Sequence, residues 1–513
     1  MTELFVGGGG EDYETPQKLL LRLANRHGLI AGATGTGKTV TMQIMAEGFS
    51  AAGVPVFLTD IKGDLGAMAL AGDEDQPLHA AFRRRADRIG LADIGYRACP
   101  VVFWDLFGES GHPVRATVAE MGPLLLSRML ELTEAQEGVM NVAFRLADEE
   151  ALPLLDLKDL QSMIGFVGQN ARALSLRYGS VSAASVGAIQ RRLLVLEGQG
   201  ADRFFGEPAL DLSDLMAVDG DGRGRVSILH AERLMRTPRL YATFLLWLLS
   251  QLFEELPEVG DPERPKLVFF FDEAHLLFNG APRALIEKVE RVARLIRSKG
   301  VGVYFVTQNP DDVPDSVLGQ LGNRVQHALR AFTARDALAL RRAAQTYRPN
   351  PRFDTAEAIR DAGTGEAVTS LLEDRGNPGV AERTLIRPPS SRLGHIGADI
   401  RARLMTESPL AGKYDTTIDR DSAHERLQRR AESCARDAAQ AVDEEREFTA
   451  ARRYDTGARG TAQRLGGKAA ARSAPRRGDG VADAFAKSFA RQLGSRSGQA
   501  LARGILGGLF RGR

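Results

Sequence analysis

The chain has 513 residues and a formal net charge of +1, longer than one typical domain requires and too near neutrality for bulk charge to argue for nucleic-acid binding. Two cysteines, Cys99 and Cys434, exclude a disulfide framework and a cysteine metal cluster and suit a reducing cytoplasm. The start MTELFVGGGGEDYETP lacks a basic region followed by an apolar run, and the most apolar stretch, Leu240 to Phe253, is too short to span a bilayer. Neither a secretory signal nor an integral membrane segment is expected.

After an N-terminal segment over 1–22, residues 23–112 read as the first part of an α/β core. The apolar run His27 to Ala31 leads into GATGTGKT, Gly32 to Thr39, which fits G-x-x-x-x-G-K-[ST] at every fixed position. Gly32, Gly35 and Gly37 let the backbone curl so that its N–H groups face phosphate oxygens. Lys38 reaches the β- and γ-phosphates, Thr39 ligates Mg²⁺, and the helix beginning at Lys38 adds its positive end. The expected nucleotide-binding set is Gly32, Ala33, Thr34, Gly35, Thr36, Gly37, Lys38, Thr39 and Val40. Strands follow at Val54 to Thr59 and Pro100 to Leu106. Asp60 and Asp64, in LTDIKGD, close the first of these on the expected ligand edge, although an ordinary Asx turn accounts for the same two residues. Arg83-Arg84-Arg85, Arg191-Arg192 and Arg341-Arg342 read as solvated helix faces.

Residues 113–222 change to helical spacing, with Met121, Leu124, Leu125, Met129 and Leu132 on one face, and are expected to be an all-helical insertion. The second core part, 223–390, carries strands at Arg225 to His230, Leu267 to Phe271, Val301 to Thr307 and Val325 to Phe332. A hairpin is expected from Gly365 to Leu372 and Arg383 to Pro389. Strands alternating with helices imply a mostly parallel sheet. The wholly apolar Leu267 to Phe271 ends in Asp272 and Glu273; the first suits the Mg²⁺ shell, and the second can orient and deprotonate an attacking water. Val301 to Thr307 ends in Gln308, which belongs near the γ-phosphate if the carboxyl ends of the strands line the crevice. Two ordered acids with a strand inserted between the two phosphate-site strands indicate a RecA-like P-loop NTPase fold of the additional-strand class.

Beyond the core lie a charged helical extension over 391–455, a Gly/Arg/Ala-rich flexible linker over 456–480 and a basic amphipathic tail over 481–513. Leu427, Cys434, Ala441 and Phe448 recur every seven residues, which suits either a coiled coil or a helix packed on the core. The tail suits docking on its own assembly, nucleic acid or a membrane surface.

The set GATGTGKT, LTDIKGD, VFFFDEAH, IRSKGVGVYFVTQNP and LGNRVQHALR resembles the HerA/FtsK group of P-loop motors, most closely the bacterial YjgR-type HerA-like proteins. The resemblance covers about Leu23 to Pro389 and implies a cytoplasmic Mg²⁺-dependent ATPase, using ATP, that works as a homohexamer on DNA. It gives catalytic roles to Lys38, Glu273 and Gln308, and makes Arg297 in RSKG the arginine finger acting on a neighbouring subunit, with Arg324 and Arg330 in reserve. Arg297 on a solvated helix face is the plain alternative. HerA motors carry an N-terminal β-barrel for which the residues before Gly32 leave no room, so that barrel's nuclease partner is not expected here. A non-motor ATP-dependent switch or scaffold docking a protein partner, or a ring moving polypeptide, fits the same machinery.

Overall fold

The computed structural model describes residues 1–278 and 283–457. The expected tail over 481–513 and most of the linker over 456–480 therefore lie outside the described residues. The chain divides into two compact units, Met1–Leu132 with Leu194–Asp419, and Thr133–Leu193 with the chain from Arg420.

The first unit is built on one sheet of twelve strands. These are β1 (Glu3–Gly9), β2 (Thr15–Leu20), β3 (Gly28–Ala31), β4 (Val56–Asp60), β5 (Val101–Asp105), β6 (His112–Pro113), β7 (Val226–His230), β8 (Leu267–Phe271), β9 (Val301–Thr307), β10 (Asn323–His327), β11 (Glu366–Ser370) and β12 (Glu382–Ile386). Their order is β2-β1-β12-β11-β10-β3-β9-β8-β4-β7-β5-β6. From β10 to β6 every pairing is parallel, and from β10 to β2 every pairing is antiparallel. The inserted strand is β9, which pairs with β3 on one side and β8 on the other, with Ala31 opposite Thr307 and Phe271 opposite Phe305. This is the additional-strand, RecA-like arrangement expected from the sequence.

Burial explains why these segments are strands. β3, β4, β8 and β9 are buried at every residue, as parallel strands covered on both faces must be. Phe49, Phe270 and Tyr304 interlock across one face, with ring centroids 5.0 to 6.2 Å apart. The expected hairpin is β11 and β12. Two details depart from expectation. β1 and β2 add an antiparallel pair where no strand is foreseen, because a Cβ on Gly7 would strike the Leu385 carbonyl and only a bare backbone fits against β12. β10 also stops at His327, well short of Phe332, which is exposed to solvent.

The second unit is helical, with helices Glu134–Glu149, Leu157–Gln169 and Ala171–Tyr178 and the long helix Ala423–Gly457. The long helix packs on Leu157–Gln169 through its first turns. The His424 amide donates to Asp159 Oδ1 at 2.8 Å, and His424 Nδ1 meets Ser162 Oγ at 2.7 Å. Of the seven-residue series, Leu427 is buried and Cys434 half-buried, while Ala441 and Phe448 are exposed.

Candidate active site

The loop between β3 and the helix Lys38–Ala51 is anchored to the carboxyl ends of two neighbouring strands. Gly32 N–H donates to Thr307 O at 3.2 Å, and Ala33 N–H donates to Ala328 O at 2.8 Å. Gly35 and Gly37 take φ of +78° and +113°, left-handed conformations that favour glycine. Gly37 is also held close to Gly365, whose N–H donates to Thr36 O at 2.9 Å. Thr34 and Gly35 are exposed at the tip, Lys38 is buried, and Thr39 and Val40 are half-buried on the first helical turn. The Lys38 ammonium donates to Gly32 O at 2.5 Å and Ala33 O at 3.1 Å. Burial lowers its pKa, with Glu273 and Asp272 opposing that shift, so loop and acids share one electrostatic site.

Asp272 and Glu273 follow β8 directly. Asp272 is nearly fully buried; burial first, and the Glu273 carboxylate second, push its pKa up to about 7. Two buried acids side by side suit a divalent cation, which would offset their repulsion. Thr39 and Asp272 supply one hydroxyl and one carboxylate, leaving most of an octahedral shell to water and phosphate oxygens, the usual way of holding Mg²⁺. The Asp272 N–H donates to Thr59 Oγ1 at 2.9 Å, and Tyr241 OH donates to Thr59 Oγ1 at 3.0 Å and to Asp272 O at 3.3 Å. Glu273 has a φ of +48°, a strain of about 1–2 kcal/mol for a residue with a side chain. In that conformation its carboxylate meets Gln308 Nε2 at 3.3 and 3.4 Å, His275 Nδ1 at 3.4 Å and Lys62 Nζ at 3.4 Å.

The structure thus gathers Lys38, Thr39, Asp272, Glu273 and Gln308 at one edge of the sheet. Asp60 ends β4 on the same edge, buried, and accepts from the N–H groups of Asp64 and Leu65 at 3.1 and 3.2 Å, the geometry of a turn. Burial, then Asp64, raises its pKa. Arg297 is elsewhere. It precedes β9 while Gln308 follows it, and seven strand residues at roughly 3.3 Å each put roughly 20 Å between Arg297 and the acids of its own chain. Its guanidinium is partly exposed, 3.5 Å from Asp261 Oδ1. Arg324 lies near the start of β10 and donates to Leu321 O and Leu318 O at 3.1 and 3.0 Å. Arg330 is exposed beyond the opposite end of β10.

Besides His275, which meets Glu273, the sequence does not single out Lys62, Tyr241 or Arg85 as contributors. Lys62 lies within LTDIKGD but stands out only once β4 is beside β8; burial lowers its pKa, yet Asp272 and Glu273 outweigh that and hold it above its usual range. Tyr241 belongs to a helix that reads as plain core. Arg85, assigned to a solvated face, instead donates to Thr364 O at 2.9 Å and Gly365 O at 3.1 Å, bracing the turn that touches Thr36.

Residues 8–513 match the protein family described as Helicase HerA-like C-terminal. Comparison with curated proteins finds no match. Among solved structures, the bacterial conjugative coupling protein TrwBdeltaN70 is 15% identical, covering 74% of this chain and 88% of that one with a TM-score of 0.47. VirB4 of Thermoanaerobacter pseudethanolicus is 13% identical, covering 78% and 98% with a TM-score of 0.48. At such TM-scores the assignment rests on the family match together with the phosphate loop and paired acids. The chain belongs to the HerA-like helicase C-terminal family and is a P-loop ATPase that uses ATP and Mg²⁺.

Proposed function

We propose that the chain is an ATP-driven motor acting on DNA in the cytoplasm, with each ATPase site completed by a neighbouring subunit of a homohexameric ring. The observation that carries this reading is the position of Arg297, at the far end of β9 from its own Glu273 and partly exposed. An arginine so placed can stabilise transition-state charge only on another copy's nucleotide. No helix among the described residues is long and apolar enough to cross a membrane.

Within one subunit the loop amides and Lys38 bind and orient the phosphates, and Thr39 and Asp272 hold the metal. Mg²⁺ held there by Thr39 and Asp272 would supply charge neutralisation at the transferred phosphoryl group. Glu273, aimed by its left-handed backbone, takes the proton of the attacking water, and Gln308 orients that water and relays the state of the site to the turn beyond β9. Measuring ATPase rate on a size-characterised oligomer, alone and with duplex DNA, single strand or unfolded polypeptide, tests the proposal. DNA is expected to raise the rate. Stimulation by polypeptide alone would favour a protein-moving ring, and a rate indifferent to every polymer would favour a switch.

A further inference from the structure

The helix Ala334–Gln345 buries one face: Ala339, Leu340 and Ala343 are inside, with Leu340 clustered against Tyr347, Ile359 and Val368. Its other face and the loop entering it expose Arg330, Phe332, Arg335, Leu338, Arg341 and Arg342. Phe332 is 85% exposed and Leu338 55%. Residues 330–345 hold four arginines and a single acid, Asp336. That acid accepts from Thr333 N–H at 2.9 Å and Phe332 N–H at 3.2 Å, closing the capping box whose N-cap is Thr333. Arg342 makes one loose pair, 3.6 Å from Asp311. In a chain of net charge +1, this is a local concentration of positive charge around a bare aromatic ring.

We infer that this surface binds single-stranded nucleic acid, with Phe332 stacking on a base and the arginines meeting the phosphates. The inference rests on the nucleic-acid track proposed above and names where the strand lies. Arginines beside an exposed aromatic ring suit a flexible anionic chain that carries flat apolar groups. A duplex keeps its base faces stacked inside, so the ring selects an unpaired strand. The surface begins two residues beyond Ala328, whose carbonyl accepts the Ala33 N–H of the phosphate loop at 2.8 Å, so a strand held there is one short step of backbone from the nucleotide.

The test uses the full chain and a fluorescent oligothymidylate, read by anisotropy between about 50 and 200 mM salt. Phe332→Ala is expected to weaken binding about tenfold. Arg335→Gln with Arg341→Gln is expected to reduce the log-log salt slope by about 1.4, at about 0.7 for each phosphate no longer neutralised. Both variants are expected to keep wild-type affinity for a fluorescent ATP analogue, which also checks that they fold. If wild type binds the strand and the variants match it in affinity and slope, the surface assignment is overturned while the nucleic-acid track stands. If wild type binds neither single strand nor duplex, the track fails and the inference with it. Variants that change oligomer size while binding the strand normally would make the surface an interface with a second copy, which also overturns it.

Discussion

Lys62 reaches across from the turn after β4 to place its ammonium 3.4 Å from Glu273 Oε1, tying the candidate base to a strand other than its own. Gln308 and His275 approach the same carboxylate from further along the chain. Lys62→Ala removes this cation from the carboxylate and loosens its position, while the phosphate-binding groups stay in place. The expected result is a fall in kcat of about tenfold, the scale of a modest misplacement of a reacting group, with ATP affinity little changed. Lys62→Arg restores most of the rate. Steady-state kinetics and titration of a fluorescent ATP analogue measure the two effects separately.

Lys38 and Glu273 separate binding from chemistry. Lys38→Ala removes a buried cation from the phosphate loop and is expected to abolish ATP binding or hydrolysis. Glu273→Gln spares the groups that hold phosphate and metal and is expected to bind ATP without turning it over. Equal hydrolysis in Glu273→Gln and wild type would remove Glu273 from the role of base.

Arg297→Ala is expected to bind ATP normally and hydrolyse it about 10³- to 10⁵-fold more slowly, the contribution of an arginine finger. Mixing Arg297→Ala with Glu273→Gln subunits tests sharing directly, because some interfaces then carry both groups intact. Partial recovery of ATPase activity is expected; none in rings shown to be mixed would place the needed arginine elsewhere.

His27 sets an acid limit on the fold. It is fully buried, with Val303 N–H donating to Nδ1 at 3.0 Å and Nε2 donating to Ala293 O at 2.5 Å, so the ring is neutral with its proton on Nε2. Burial lowers its pKa to about 4 from an ordinary 6.5. The unfolded chain therefore binds the extra proton first as pH falls. The stability owed to the neutral ring is full above about pH 6.5 and declines toward pH 4, by up to about 3 kcal/mol. Denaturant midpoints between pH 7.5 and 4.5 should show a shallower decline in His27→Gln than in wild type.

The sequence alone determined what short-range pattern can encode. A glycine-rich loop between an apolar run and a helix can cradle phosphate whatever surrounds it. An unbroken apolar strand such as Leu267 to Phe271 must lie inside a sheet, so the acids ending it must sit at that sheet's edge. Tertiary structure decided what depends on partners distant in sequence. Gly7 lies in an N-terminal segment where the sequence shows no strand, because glycine favours none, and it joins the sheet because the Leu385 carbonyl of β12 comes too close for any side chain. Arg85 reads as a solvated charge until folding sets the Thr364 and Gly365 carbonyls, some 280 residues away, within hydrogen-bond reach. Lys62 reads as one lysine in a turn until β4 pairs with β8 and sets it beside Glu273. Local periodicity carries the strand and the loop; a side chain's partner is fixed only when the sheet brings separate strand ends together.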